Sequence, residues 1–135
     1  MLIEWHEEET VGKTVLVVDD LPVNRDLVRT VLGYHGHQTI EARGGQEALA
    51  LLTHEHPDLV LTDVMMPGMD GFELARAIRA DSSTKSIPVL FYTANYLVQE
   101  AGGDELSGGI TRIVPKTGDL TELIDAVEDA LNTWK

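Results

Sequence analysis

The sequence predicts a single α/β domain built on a doubly wound parallel sheet. Short apolar runs that suit buried strands alternate with amphipathic stretches of helical period, and this pattern occurs five times. Strands that are apolar on both faces are typical of parallel sheets, which helices cover on both sides. At 135 residues the chain is long enough for one core. No apolar run approaches ~18 residues, so we expect no contact with a membrane.

The predicted strands are short, and two of them suit the edges of the sheet. The second strand is less apolar than the others, and the fifth ends at Pro115, a residue tolerated mainly on edge strands. The central strands are more continuously apolar, as burial on both faces requires. The five predicted strands cover residues 15–18, 38–42, 59–61, 88–92 and 110–114.

The predicted helices follow the strands and carry apolar residues three and four positions apart. The first begins at Pro22, a residue favoured in the first helical turn, and ends within residues 33–36. The third begins after Asp70, which is placed as its N-cap. A fourth is expected over residues 95–106, but Gly102-Gly103 should shorten or break it and leave a mobile segment to about residue 109. The C-terminal helix has the most regular apolar stripe.

Composition excludes several classes of function. The chain has no cysteine, so disulfides and thiolate nucleophiles are excluded. Asp and Glu number 23 against 10 Lys and Arg, and the resulting net charge of -13 argues against direct binding of nucleic acid. Residues 1–12 are acidic and aperiodic, and we predict a tail or linker there before a domain over residues 13–135. Because no signal-peptide pattern is present, a cytoplasmic location is expected.

Polar side chains follow four of the predicted strands at their carboxyl ends. Asp19 and Asp20 follow the first strand, Asp63 the third, Thr93 the fourth and Lys116 the fifth. In an open parallel sheet these ends share one edge, and ligands bind there. Three carboxylates together repel one another unless a cation neutralises them, and Mg²⁺ prefers such oxygen ligands. A lysine and a hydroxyl suit phosphoryl oxygens, so the set predicts transfer of a phosphoryl group onto a carboxylate.

Over about residues 13–131 the chain resembles the receiver domains of two-component response regulators. The resemblance implies a flavodoxin-like (βα)5 fold with strand order 2-1-3-4-5. It also implies a protein that is no enzyme beyond its own phosphorylation and slow dephosphorylation. A homodimer, or an output domain in a longer chain, is compatible with it. The motifs that carry the resemblance are Asp19-Asp20 after an apolar strand, residues 63–71, Thr93-Ala94 and Lys116.

The resemblance implies a role for each residue of the site. Asp63 would be the phosphoacceptor, receiving its phosphoryl group from a histidine kinase or a histidine phosphotransfer protein. Thr93 would follow the phosphoryl group, and Lys116 would pair with it. The ligands of Mg²⁺ would be Asp20 and Asp63 directly, Asp19 largely through water, and the backbone carbonyl of Met65.

The chain departs from the family pattern at two positions near the lysine, in addition to the glycine-rich stretch of the predicted fourth helix. Thr117 follows Lys116 where the family usually has proline, so we expect either a trans bond with a reshaped loop or a strained cis bond. Ile113 stands where the family has a switch aromatic, three residues before the lysine, so Thr–aromatic coupling cannot operate in its usual form. Met65 lies two residues after Asp63, and a bulky apolar side chain there predicts slow self-dephosphorylation.

Other functions account for fewer of these features. An aspartyl-phosphate phosphatase would need a second acid at the position of Met65, and a dinucleotide-binding domain would need a glycine-rich turn after the first strand. A receiver-fold binding module with weak or uncoupled phosphorylation remains an alternative. The two His-x-His pairs, at residues 35 and 37 and at residues 54 and 56, lack further ligands, and we expect them to be exposed to solvent.

Overall fold

The computed structural model describes residues 12–94, 112–117 and 119–133. The predicted N-terminal tail, Gly12 apart, and the predicted fourth helix with its mobile segment lie outside these ranges. No helix in the described ranges is both long enough and apolar enough to span a bilayer. The elements described are β1 (Thr14–Val18), α1 (Pro22–Tyr34), β2 (Gln38–Ala42), α2 (Gly45–Leu52), β3 (Leu59–Thr62), α3 (Gly71–Ala80), β4 (Val89–Thr93), β5 (Arg112–Pro115) and α4 (Leu120–Thr133).

The strands form one parallel sheet in the order β2-β1-β3-β4-β5, which confirms the predicted order and places β2 and β5 at the edges. Val18 at the end of β1 pairs with Thr62 at the end of β3. Asp19 and Asp63 therefore leave neighbouring central strands at the same level. On the other side of β3, Thr93 pairs with Pro115, so Lys116 leaves β5 at the same edge of the sheet.

Alternate residues of each strand pack against opposite layers of helices, because successive side chains point to opposite faces of a sheet. In β1, Leu16 and Val18 belong to the apolar cluster that includes residues of α2 and α3. Val15 and Val17 belong to the other cluster, with residues of α1 and α4. All four side chains are almost fully buried, so β1 is a central strand covered on both faces.

The turn between β3 and α3 is folded tightly against the end of β3. The predicted N-cap is confirmed: Asp70 Oδ1 accepts a hydrogen bond from the Glu73 amide, and Glu73 Oε1 accepts one from the Asp70 amide. The Gly71 amide donates to the Val64 carbonyl at 2.8 Å. A Cβ atom at Gly71 would lie 2.5 Å from the Asp63 carbonyl oxygen and 2.8 Å from Val64 Cα. Position 71 therefore has room for glycine only, because any other side chain would clash with the backbone of Asp63 and Val64.

The expectation that the paired histidines are exposed is wrong for His37. Its side chain is only 1% exposed, and Nε2 lies 2.6 Å from Glu128 Oε2 in α4. The turn after α1 places Gly36 at a φ of 83°, and the His37 amide then donates to the Leu32 carbonyl, which directs the residue under α4. Within the described ranges, His37 Nδ1 is buried without a hydrogen-bond partner. The other three paired histidines are not buried.

Candidate functional site

Lys116 joins the ends of three strands. Its Nζ atom donates to Asp19 Oδ2 and to Asp63 Oδ2, each at 2.9 Å, although these residues are 97 and 53 positions away in sequence. The Lys116 amide donates to the Thr93 carbonyl at 2.9 Å, which fixes the start of the lysine side chain at the end of β4. The structure therefore brings together Asp19, Asp63 and Lys116 at the edge of the sheet where the sequence placed them.

The Asp63 carboxylate is held at both oxygens and remains partly accessible. Oδ1 accepts from the Val64 amide at 2.7 Å and from the Met65 amide at 3.4 Å, and Oδ2 faces Lys116. The side chain is 14% exposed. Backbone donors and one ammonium group therefore fix the direction of a carboxylate that solvent and a small reactant can still reach.

The two neighbouring acids Asp19 and Asp20 have different surroundings. Asp19 is buried, and its carboxylate accepts from the Leu21 amide at 3.0 Å and from Asn24 Nδ2 at 3.3 and 3.2 Å, in addition to Lys116. Asp20 is partly exposed, and its carboxylate makes no hydrogen bond or ion pair within the described part of the chain. Asp20 is therefore the more available of the two as a direct ligand.

The lysine lies between two carboxylates and an aromatic ring. Burial alone would lower the pKa of Lys116, but the hydrogen bonds to Asp19 and Asp63 and their charges outweigh it and raise that pKa above its ordinary 10.5. The Tyr92 ring centroid lies 5.4 Å from Nζ. Burial raises the pKa of Tyr92 above 10.0, against the opposing charge of Lys116. At neutral pH the lysine is therefore a fixed positive charge beside a neutral phenol.

The remaining predicted site residues occupy distinct positions around this centre. Thr93 is 1% exposed and ends β4. Met65 is 60% exposed, although its amide contacts Asp63. Ile113 is partly buried. It lies opposite Phe91 in the β4–β5 pairing and packs against the apolar cluster to which Phe91 belongs. All peptide bonds of the described residues are trans, including Lys116–Thr117, so the cis alternative is wrong and the lysine reaches both acids without it.

Three residues that contact the site were not identified from the sequence. Tyr92 lies beside Lys116, Asn24 donates to the Asp19 carboxylate, and Arg25 Nη1 donates to the Asp19 carbonyl at 2.7 Å. The one signal available was position: Asn24 and Arg25 lie in the first turn of a helix that begins directly after the acidic pair, and such a turn faces back toward the strand end. Their residue types alone do not indicate these contacts.

The donor set is chemically suited to a hard dication. Asp20 and Asp63 offer carboxylate oxygens that are partly exposed, and waters complete such a site in proteins that bind Mg²⁺. Within the described ranges, no three acidic or histidine side chains converge into a complete metal site. Lys116 Nζ instead bridges Asp19 and Asp63. The residues fit a cation that completes its coordination with water and substrate oxygens better than one enclosed by protein.

The fold and the arrangement of acids and lysine define a receiver domain. The chain belongs to the family described as response regulator receiver domain, which matches residues 15–128. Its relatives include the polar-differentiation response regulator DivK of Brucella ovis, 32% identical over 122 residues that cover 88% of this chain and 96% of DivK. Protein PilH of Pseudomonas aeruginosa is 40% identical over 79 residues, which are 58% of this chain and 65% of PilH.

Some relatives are much longer proteins. The stretch similar to the sensor histidine kinase RcsC of Escherichia coli is 46% identical over 86 residues, and it covers 64% of this chain but only 9% of RcsC. Receiver domains of this kind thus occur within multidomain chains as well as in short ones such as DivK.

Solved structures confirm the flavodoxin-like fold. The chemotaxis response regulator CheY4 of Vibrio cholerae has a TM-score of 0.80 and 30% identity, with 89% of this chain and 99% of that chain covered. The response regulator TrrA of Thermotoga maritima, solved in complex with Mg²⁺ and BeF, has a TM-score of 0.79 and 30% identity over 87% and 98% of the two chains. The receiver domain of the Pseudomonas aeruginosa sensor histidine kinase PA1611, which holds a magnesium ion in its active-site cleft, has a TM-score of 0.81 and 25% identity over 91% and 100%.

Proposed function

We propose that this receiver domain is a phosphoacceptor in a two-component phosphorelay, and that Asp63 takes its phosphoryl group from the phosphohistidine of a histidine kinase or histidine phosphotransfer protein. The contact that carries the proposal is the pair of 2.9 Å hydrogen bonds from Lys116 to Asp19 and Asp63. The cation lies at a partly open strand end, directly beside the carboxylate that would accept the phosphoryl group. It is suited to the charge of a phosphoryl group on Asp63.

The transfer is a displacement at phosphorus. A carboxylate oxygen of Asp63 attacks the phosphorus, a P–O bond forms, the P–N bond breaks, and its electron pair returns to the imidazole nitrogen of the donor histidine. The product on this chain is an acyl phosphate. Lys116, a cation at neutral pH, would balance charge on the phosphoryl oxygens, and the Thr93 hydroxyl would orient one of them.

Mg²⁺ is the cofactor that this donor set suits. Asp20 and Asp63 would bind it directly, with the backbone carbonyl of Met65, and Asp19 would reach it largely through water. The surroundings of the two acids support this division, because Asp19 is occupied by three donors whereas Asp20 has none within the described residues. When bound, the ion supplies positive charge at the oxygens of the phosphoryl group. The magnesium in the related PA1611 and TrrA structures supports the same choice.

Phosphorylation by a small donor tests the proposal. The wild-type protein is incubated with acetyl phosphate and Mg²⁺, and its intact mass is measured. We expect the wild-type mass to increase by that of one phosphoryl group. We expect no increase when the metal is chelated during the incubation, and none in Asp63→Asn. A wild-type protein that stays unmodified, or an Asp63→Asn variant modified to the same extent, would overturn the proposal.

One observation favours a second candidate, a binding module in which phosphorylation is weak or uncoupled from output. Ile113 fills the family's aromatic position and packs into the core beside Phe91. An aliphatic side chain at this position has no ring to swing, so it cannot relay movement of Thr93 in that way. Amide shifts in beryllofluoride and Mg²⁺ distinguish the two: changes beyond the residues that surround Asp63 indicate a coupled switch, and changes confined to them indicate the module.

A further inference from the structure

We propose that Arg25 is a positioning residue that fixes the peptide group between Asp19 and Asp20 and thereby sets the affinity of the site for Mg²⁺. This inference rests on the proposed function, which assigns the ion to those acids. Arg25 Nη1 donates to the Asp19 carbonyl oxygen at 2.7 Å, and Nε lies 3.0 Å from Glu41 Oε1. Its side chain is only 12% exposed.

Arg25 connects this peptide group to the sheet. Glu41 lies in β2 and pairs with Val17 of β1, so its backbone is held by the ladder. Its second carboxylate oxygen accepts from Arg29 Nη1 at 2.9 Å, a separate contact made by an arginine whose side chain is 51% exposed. The planar guanidinium of Arg25 can contact Glu41 and the Asp19 carbonyl at once, because its donors point in fixed, diverging directions.

The held peptide group matters most for Asp20. The Asp19 carbonyl belongs to the peptide bond that joins the two acids, so its orientation influences the direction of both side chains. The Asp19 carboxylate also accepts hydrogen bonds from the Leu21 amide and from the Asn24 side chain. The Asp20 carboxylate accepts no hydrogen bond within the described residues. Its direction therefore depends on the backbone that Arg25 fixes.

Position and charge predict opposite effects on binding of a cation. The guanidinium is a positive charge next to the backbone of the acidic pair, so its charge alone opposes a dication. If Arg25 acted through charge only, its removal would strengthen Mg²⁺ binding. If it acts by positioning, its removal weakens Mg²⁺ binding. The sign of the change therefore separates the two roles.

The test is calorimetric titration of the unphosphorylated full chain with Mg²⁺ alone. Arg25→Gln removes both the charge and the bridge, and Arg25→Lys keeps the charge but cannot contact both partners in the same way. We expect the dissociation constant for Mg²⁺ to rise at least about tenfold in both variants. Losses of this size are typical when residues that orient metal ligands are replaced. Arg29→Gln is the matched control: it loses one positive charge and one bond to Glu41 from the same helix, but no contact with Asp19. Its affinity should stay close to that of wild type.

A second measurement needs no metal. The Asp19 amide donates to the Ala42 carbonyl at 3.1 Å, so its hydrogen exchange reports how firmly the turn is held. We expect faster exchange at Asp19 in both Arg25 variants and no change in Arg29→Gln. Should Arg25→Gln fail to fold, Glu41→Gln keeps the arginine but removes its anchor, and it should weaken Mg²⁺ binding in the same direction.

The outcomes separate this inference from the proposed function. Wild-type affinity in Arg25→Lys, tighter binding in Arg25→Gln, or equal weakening in Arg29→Gln would each overturn the positioning role. A wild-type protein that binds Mg²⁺ but takes no phosphoryl group from acetyl phosphate would overturn the proposed function and leave the role of Arg25 standing. A wild-type protein that binds no Mg²⁺ would overturn both.

Discussion

Replacing Gly71 by alanine should destabilise the fold next to the acceptor aspartate. The added Cβ would lie 2.5 Å from the Asp63 carbonyl oxygen and 2.8 Å from Val64 Cα, and both are backbone atoms that no side-chain rotation can move. Overpacking of this kind costs about 1–3 kcal/mol. Strain on the Gly71–Val64 hydrogen bond adds about 1 kcal/mol, and the better helix propensity of alanine returns up to about 1 kcal/mol. We therefore expect a loss of about 2 kcal/mol in the free energy of unfolding.

Urea unfolding followed by circular dichroism measures this change. Gly33→Ala is the matched control, because a Cβ atom there meets nothing within 4 Å and the residue lies within α1. It should leave stability unchanged or raise it by up to about 1 kcal/mol. If the free energy of unfolding of Gly71→Ala lay within about 0.5 kcal/mol of the wild-type value, the tight approach of α3 to the end of β3 would be refuted.

Three further predictions concern the cap, the lysine and the lifetime of the phosphoryl group. Asp70→Ala removes an N-cap that bonds to the third residue of its helix, and urea unfolding should show a loss of about 1 kcal/mol. The pKa of Lys116 is raised above 10.5, so its stabilisation is complete below that value and is lost as the pH rises through the higher pKa of the folded state. In Lys116→Met the free energy of unfolding should therefore fall less steeply with pH in that range. Some decrease should remain in this variant, because the pKa of Tyr92 is also raised in the folded state. Met65→Asn should shorten the half-life of the phosphorylated protein, measured by intact mass after removal of acetyl phosphate; an unchanged half-life would show that Met65 does not hinder water.

The sheet and the acidic edge were predictable because both depend on local sequence pattern. Apolar runs of four or five residues identify the strands, and an aspartate directly after such a run can only lie at a strand's carboxyl end. Parallel topology then brings Asp63 and Lys116 to one edge, although they are 53 positions apart. The N-cap at Asp70 was predictable for the same reason, since its partner lies only three residues away.

The failures of sequence reasoning involve contacts between distant elements. His37 was expected to be exposed because it lies at a joint between a helix and a strand, but Glu128 in α4 covers it from 91 positions away. Arg25 reads as one of the charged residues of an amphipathic helix, and its contact with the Asp19 carbonyl depends on how α1 turns back on β1. Neither contact leaves a periodic or local signal, so only the packing of the helices reveals them.

The most direct test of the central claim is to locate the phosphoryl group on the chain. The wild-type protein is phosphorylated with acetyl phosphate and Mg²⁺, reduced with borohydride so that an aspartyl phosphate becomes homoserine, and mapped by peptide mass spectrometry. We expect conversion at residue 63 alone. Conversion at residue 19 or 20 with residue 63 intact would contradict it.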